Sequence, residues 1–327
     1  MGIFNEYIKK AKKVENIKDP FILIQEYSGF GNKVFNIIIG IYLKYKYKYY
    51  IYFVDTKSKH TKKDDPEITT IFPRLKNEFI FIDDNEGDYL GHILDTYRLE
   101  VPFQNVRELG DLDKYFTNYR ISLHATHLYN LVFDMYYSFD EHQKKIFKIN
   151  RLLIDPDVLS FIKQTNYAAV HIRYGDKLKQ SFPKKNEKYN LTFVLYTPKY
   201  YYNNIKKINM PVIILTDSPK LVDEFIIKRY NVTNAKIIDT NFLNSFYLLL
   251  YSNICILSHS TFSYCAYLMS QRQKEYVYCG LPDMLKKYGT VDCLVGQNWK
   301  IINTEKCILN FDLPLLRKMY EYYLQHK

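Results

Sequence analysis

From Tyr167 onward the chain alternates short apolar runs of strand length with longer segments of helical period, and this alternation constrains the fold more than any other feature. Strands are expected at Ala168–Arg173, Val212–Asp217, Ala235–Ile238, Ile254–Ser258 and Glu275–Cys279. Helices are expected at Thr197–Ile208, Pro219–Tyr230, Asn244–Tyr251 and Ser260–Gln273, with a terminal helix over Leu313–Gln325. Strands that are apolar throughout are buried on both faces. Their alternation with helices therefore implies a parallel sheet covered on both sides.

The N-terminal part opens with a similar unit. Phe21-Ile-Leu-Ile-Gln-Glu-Tyr27 reads as a strand and Ser28-Gly-Phe-Gly31 as a turn. Asn32 is placed to cap a helix whose apolar positions include Val34, Phe35, Ile38, Ile41 and Tyr42. A second strand is expected at Tyr49–Val54. Lys57–Pro66 reads as a charged loop, Phe79–Ile82 and Arg120–Leu123 as strands, and Asp140–Asn150 as a helix. A chain of 327 residues fits two domains of about 150 each. The expected architecture is α/β with two Rossmann-like domains: 1–150, 151–300, and a C-terminal helical segment over 301–327. The boundary falls between Asn150 and Leu159.

Composition narrows the partners. A hydrophobic content of 47% supplies a core, and a net charge of +11 favours anionic ligands such as phosphorylated small molecules. The basic residues are spread along the chain, and Tyr interleaves with Lys44, Lys46 and Lys48, so no nucleic-acid partner is expected. The five cysteines form no CxxC pair, which argues against a zinc site or disulfide framework and fits a reducing compartment. Residues 1–20 lack an apolar signal core, and no run of about 18 apolar residues occurs. No membrane span and a cytoplasmic location are the expectations.

In open parallel α/β sheets ligands bind beyond the carboxyl ends of the strands, and three such ends carry suitable chemistry. Val170-His-Ile-Arg-Tyr-Gly-Asp-Lys177 places His171 and Arg173 on one face of a strand, with Asp176 and Lys177 on the loop after it. Arg173 offers a planar fork of donors for phosphate oxygens, and Gly175 permits a tight turn or a close ligand. A structural ion pair between Arg173 and Asp176 is the alternative. Asp217, before Ser218-Pro219, caps the next helix or holds a base or ribose. Ser260-Thr-Phe-Ser263 lies between a strand and a helix, where free backbone N–H groups and hydroxyls form an anion site or a simple cap.

Taken together these segments resemble the GDP-fucose-dependent fucosyltransferases. His171-Ile-Arg173-Tyr-Gly-Asp176 is similar to the H-x-R-R-x-D motif of the α1,2-, α1,6- and protein O-fucosyltransferases. Ser28-Gly-Phe-Gly-Asn-Lys33 is similar to their N-terminal Gly-x-Gly-Asn loop, Leu215-Thr-Asp217 to their second motif, and Ser260–Ser263 to their third. The resemblance runs over roughly residues 20 to 275, in the family's order. It implies two facing Rossmann-like domains of the GT-B type. The donor is implied to be GDP-fucose, the transfer to a glycan hydroxyl inverting, and no metal or cofactor is required. By position, Arg173 would hold the β-phosphate, while Ser260, Thr261, Phe262 and Ser263 would contact the diphosphate. Asp217, His171, Lys177, Gly29 and Gly31 would belong to the nucleotide-sugar site. Asn32 would face the cleft from the first domain, and Asp176 or Glu26 would be the base. Tyr174 stands where many members carry a second Arg, and Ser218 where some carry a second acid.

Other readings remain open in the sequence. Asp111-Leu-Asp113 and Asp155-Pro-Asp157 have the Asp-x-Asp spacing of metal-dependent transferases, and His124 and His127 form a possible ligand pair. Gly29-x-Gly31, followed by Asp55, resembles a dinucleotide fingerprint, with Val34 at the third glycine position. A binding protein derived from a transferase is a further alternative.

Overall fold

The computed structural model describes residues 21–26, 29–55, 65–82, 108–114, 121–123, 131–181, 195–270, 275–280, 299–303, 309 and 312–326. Contacts divide the chain into two compact units, Met1–Arg151 and Leu152–Lys327. Each is a mixed α/β unit around its own parallel sheet.

The first unit begins with β1 (Phe21–Glu26), α1 (Phe30–Tyr47), β2 (Tyr50–Asp55), α2 (Ile68–Ile71) and β3 (Ile80–Ile82). It continues through β4 (Ile121–Leu123), α3 (Val132–Tyr137) and α4 (Glu141–Ile146). The strand order is β3-β2-β1-β4, all parallel. The inner face of α1 is apolar, with Val34, Phe35, Ile37, Ile38 and Ile41 fully buried. Gly40 lets this helix lie close to the sheet, because a Cβ there would sit 3.0 Å from the Phe79 ring and 3.1 Å from Ile24. Two expectations are corrected. Asn32 does not cap α1: the helix starts at Phe30 with Gly29 at the cap position and no side-chain cap. The helix expected to Asn150 ends at Ile146, held at its start by a capping box between Asp140 and Gln143. Lys57–Asp64, His124 and His127 lie outside the described residues.

The second unit contains α5 (Pro156–Gln164), β5 (Ala168–Ile172), α6 (Gly175–Ser181), α7 (Pro198–Ile205), β6 (Val212–Thr216) and α8 (Pro219–Val222). Beyond them come β7 (Ala235–Ile237), α9 (Phe242–Tyr251), β8 (Ile254–Ile256), α10 (Thr261–Leu268), β9 (Glu275–Gly280), β10 (Trp299–Asn303) and α11 (Leu313–His326). Its six strands run parallel in the order β10-β9-β8-β5-β6-β7. Every residue of β5 is buried, as a central strand covered on both faces must be. Asp176 and Lys177 are in the first turn of α6 rather than on a loop. The expected helix over Pro219–Tyr230 forms, but Asp223–Lys228 within it is π-helical.

The C-terminal helix α11 packs on α6 and α8. Leu316 and Met319 are its buried residues, and the Tyr322 ring meets Phe225 edge-on at 5.5 Å. None of the helices among the described residues is long and apolar enough to cross a membrane. Met319 is fully buried, so Met319→Asp places an unpaired carboxylate beneath α11. The expected cost is about 3 kcal/mol or more, read as a loss of unfolding free energy in urea.

Candidate functional site

The second sheet winds outward in two directions from its centre. β5 leads to β6 and β7 on one side, and β8 leads to β9 and β10 on the other. The boundary between β5 and β8 is therefore the topological switch point, the place where doubly wound sheets open a crevice for a ligand. The two ladders of β5 differ in length at this end. β5 stays paired with β6 to Ile172↔Thr216, but its pairing with β8 stops at Val170↔Ile256.

His171 bridges this opening. Its Nδ1 lies 2.6 Å from the Ser258 hydroxyl beyond β8, and its ring packs on Phe262 of α10 at 5.2 Å. The imidazole is 7% exposed. Burial first, and Arg173 second, push its pKa down to about 3, so it is neutral. Phe262 also packs edge-on against Phe246, and the Ser263 hydroxyl donates to the carbonyls of Ser258 and Ser260. These groups hold the N-terminus of α10 beside β5. Ser260 occupies the cap position without a side-chain cap bond.

Arg173 emerges immediately after β5 and is one-third exposed. Its Nη2 donates to Asp176 Oδ1 at 2.8 Å, and its Nε pairs with Asp217 Oδ2 at 3.2 Å. A guanidinium has five N–H donors, so three remain for a ligand. Lys177 adds a second cation, 4.0 Å from Asp176 Oδ2, with its pKa lowered chiefly by burial. Asp217 does not cap α8, where Ser218 takes the cap position. Its Oδ1 instead accepts from the backbone N–H groups of Tyr174 and Gly175 at 3.1 and 3.2 Å. Burial raises its pKa against the lowering effect of Arg173.

Two residues that sequence reasoning passed over belong to the same region. The His259 Nε2 is buried without a hydrogen-bond partner beside the N-terminus of α10, and burial followed by Lys177 brings its pKa down to about 4. Tyr323 of α11 is influenced by Asp217 and Asp176, which add to the effect of burial in raising its phenol. His259 was legible only as the middle of Ser-His-Ser, and Tyr323 lies far along the chain from every motif.

The remaining candidates are elsewhere. Gly29, Gly31 and Asn32 stand at the carboxyl end of β1 in the first unit, where β4 and β2 flank it on opposite sides. Glu26 and Asp55 are register partners at the ends of β1 and β2. The Asp-x-Asp pairs have local roles. Asp155 caps α5 by accepting from the Asp157 N–H, and Asp113 accepts from Tyr47 and pairs with Lys46. A groove of about 500 Å³ lined by Phe225, Arg229, Lys318 and Tyr322 opens between the π-helical segment and α11.

No family model matches this chain, and no curated protein does. The solved structures that it resembles are fucosyltransferases. It is similar to Arabidopsis thaliana FUT1, a point mutant in complex with GDP, at 10% identity over 84% of this chain and 75% of that one, with a TM-score of 0.45. It is similar to the fucosyltransferase NodZ from Bradyrhizobium at 14% identity over 77% and 92%, TM-score 0.46. Likewise, POFUT1 in complex with GDP aligns at 12% identity over 79% and 97%, TM-score 0.42.

Two outcomes test this geometry. Tyr174 is fully buried and its hydroxyl donates to the Tyr196 carbonyl at 2.8 Å. Tyr174→Arg, which restores the arginine pair of the motif, is therefore expected to cost about 3 kcal/mol or more in thermal unfolding rather than to strengthen ligand binding. The second concerns pH. His171 has a folded pKa below its unfolded value, so its contribution is present above about pH 6.5 and is lost as pH falls toward 3. Between pH 6.5 and 5 the wild type should lose ~2 kcal/mol more stability than His171→Gln, measured by denaturant titration at both pH values. Asp217, shifted upward, titrates with the opposite sign and is common to both proteins.

Proposed function

We propose that the chain is a glycosyltransferase that moves fucose from GDP-fucose to a hydroxyl of a glycan acceptor. The observation that carries this reading is the β5/β8 switch point. It joins a guanidinium with free donors, a second cation and the N-terminus of α10 in one crevice. That combination suits a diphosphate, whose charge grows as the sugar departs. The four motif resemblances, three of which fall around this crevice, direct the choice to GDP-fucose.

In this reading transfer is inverting and metal-independent, within the GT-B class. Arg173, Lys177 and the N–H groups opening α10 stabilise the leaving diphosphate, while the anomeric carbon passes through an oxocarbenium-like state. His171 stays neutral and sets the position of α10. The first unit, through Gly29, Gly31 and Asn32, serves the acceptor, whose hydroxyl loses its proton to Asp176 or Glu26. The protein acts in the cytoplasm and takes no cofactor.

A dinucleotide reading has one observation in its favour. Gly29-x-Gly31 follows β1 at the cap and first turn of α1, and Asp55 ends β2, as in a nucleotide-binding βαβ unit. Val34, at the third glycine position, is fully buried where that glycine would allow close helix packing.

Calorimetric titration with GDP, UDP and NAD, each with and without Mg²⁺, separates the readings. GDP is expected to bind without metal and to lose at least about tenfold in affinity in Arg173→Ala, since one charge-assisted hydrogen bond contributes ~1.5–3 kcal/mol. Binding of NAD, or of UDP only with Mg²⁺, would overturn the proposal.

A further inference from the structure

We infer that Asp217 is a positioning residue: its carboxylate fixes the Arg173 guanidinium and the β5–α6 turn in the geometry that receives a diphosphate, and it does not itself touch the ligand. This rests on the proposed nucleotide site.

The bonding of the carboxylate makes the case. Oδ1 takes three donors: the Tyr174 N–H at 3.1 Å, the Gly175 N–H at 3.2 Å and the Ser218 hydroxyl at 3.2 Å. Oδ2 faces Arg173 Nε at 3.2 Å. Oδ1 is thus fully occupied by these donors, and Oδ2 is turned toward the arginine. The turn is shaped around this group. A Cβ at position 175 would overlap Asp217 Oδ2 and lie 2.8 Å from its carboxyl carbon. Gly175 is therefore required by Asp217, not by the approach of a ligand. The Gly175 N–H also donates to the Ser218 hydroxyl at 2.8 Å, which ties the ends of β5 and β6 together a second time.

Arg173 is thereby held by two carboxylates at two different nitrogens, Nε by Asp217 and Nη2 by Asp176. Such a grip fixes the plane of the guanidinium, and with it the direction of the remaining donors. A positioned donor array loses less entropy when an anion arrives.

The sign of one substitution decides between positioning and competition. Asp217→Asn can keep an oxygen at the Oδ1 place, with its three donors, and turn its NH₂ toward Arg173 Nε–H. Donor then meets donor, and the arginine alone is released. If Asp217 merely competed with the ligand for Arg173, removing its negative charge would tighten anion binding. As a positioning residue, its loss weakens binding.

GDP affinity is to be measured by calorimetry on wild type, Asp217→Asn, Arg173→Ala and the double variant, with unfolding temperatures in parallel. The expected result is about tenfold weaker GDP binding in Asp217→Asn at a little-changed unfolding temperature, with the double variant no weaker than Arg173→Ala. Unchanged or tighter binding in Asp217→Asn would overturn the inference, as would losses that add. Should Asp217→Asn fail to fold, Gly175→Ala, which forces the carboxylate aside, enters the same cycle with the same expectations. If Arg173→Ala itself binds GDP normally, the nucleotide-site reading fails, an outcome distinct from failure of the inference alone.

Discussion

The second unit depends on one contact between residues more than forty positions apart: the Asp217 carboxylate beneath the turn that follows β5. Where a central strand leaves its sheet, the next backbone donors lose their ladder partners. Here the donors of Tyr174 and Gly175 are satisfied by a charge from the neighbouring strand. The same charge orients the first polar side chain beyond the sheet. Because the carboxylate is only 23% exposed, the contact is shielded from much of the screening that weakens surface pairs. Backbone path and side-chain direction are thus set by one group.

Around this contact the helical layers act as buttresses. α11 closes against α6 and α8, so the turn carrying Arg173 is backed by the last helix of the chain. On the other side of β5, Phe262 and Phe246 fill the space behind His171. The π-helical stretch Asp223–Lys228 lies in the same layer, with Phe225 and Ile226 buried. Such segments are rare, and they recur near functional sites. This one continues α8, the helix that begins two residues after Asp217.

The strands of the second unit were legible because full burial writes itself as short, mostly apolar sequence, as in Ala168–Ile172 and Val212–Thr216. Residues at the strand ends stood out for the opposite reason: the charged Arg173 and Asp217 directly follow those runs. Less legible was anything fixed by distant partners. Gly175 suggested a loop, although it opens a helix, because the constraint on it comes from Asp217 and not from its neighbours. Asp217 before Ser218-Pro219 looked like a cap, and local pattern does not reveal that its carboxylate turns back to β5. The helix start was misplaced by three residues, since the helix begins on the apolar Phe30 with Gly29, not Asn32, at its cap. β10 was not foreseen at all: Trp299–Asn303 is short and follows a stretch without clear periodicity.

The imidazole of His171 has a consequence for scale. β5 and β8 part after Val170 and Ile256, and His171 with Ser258 spans the gap at 2.6 Å. The pair works as a spacer whose length sets how far the mouth of the crevice gapes. A shorter side chain would let the two strand ends draw together, and a bulkier one would wedge them apart. The separation of the two strand ends is therefore tied to the size of one ring, in a residue with almost no surface of its own.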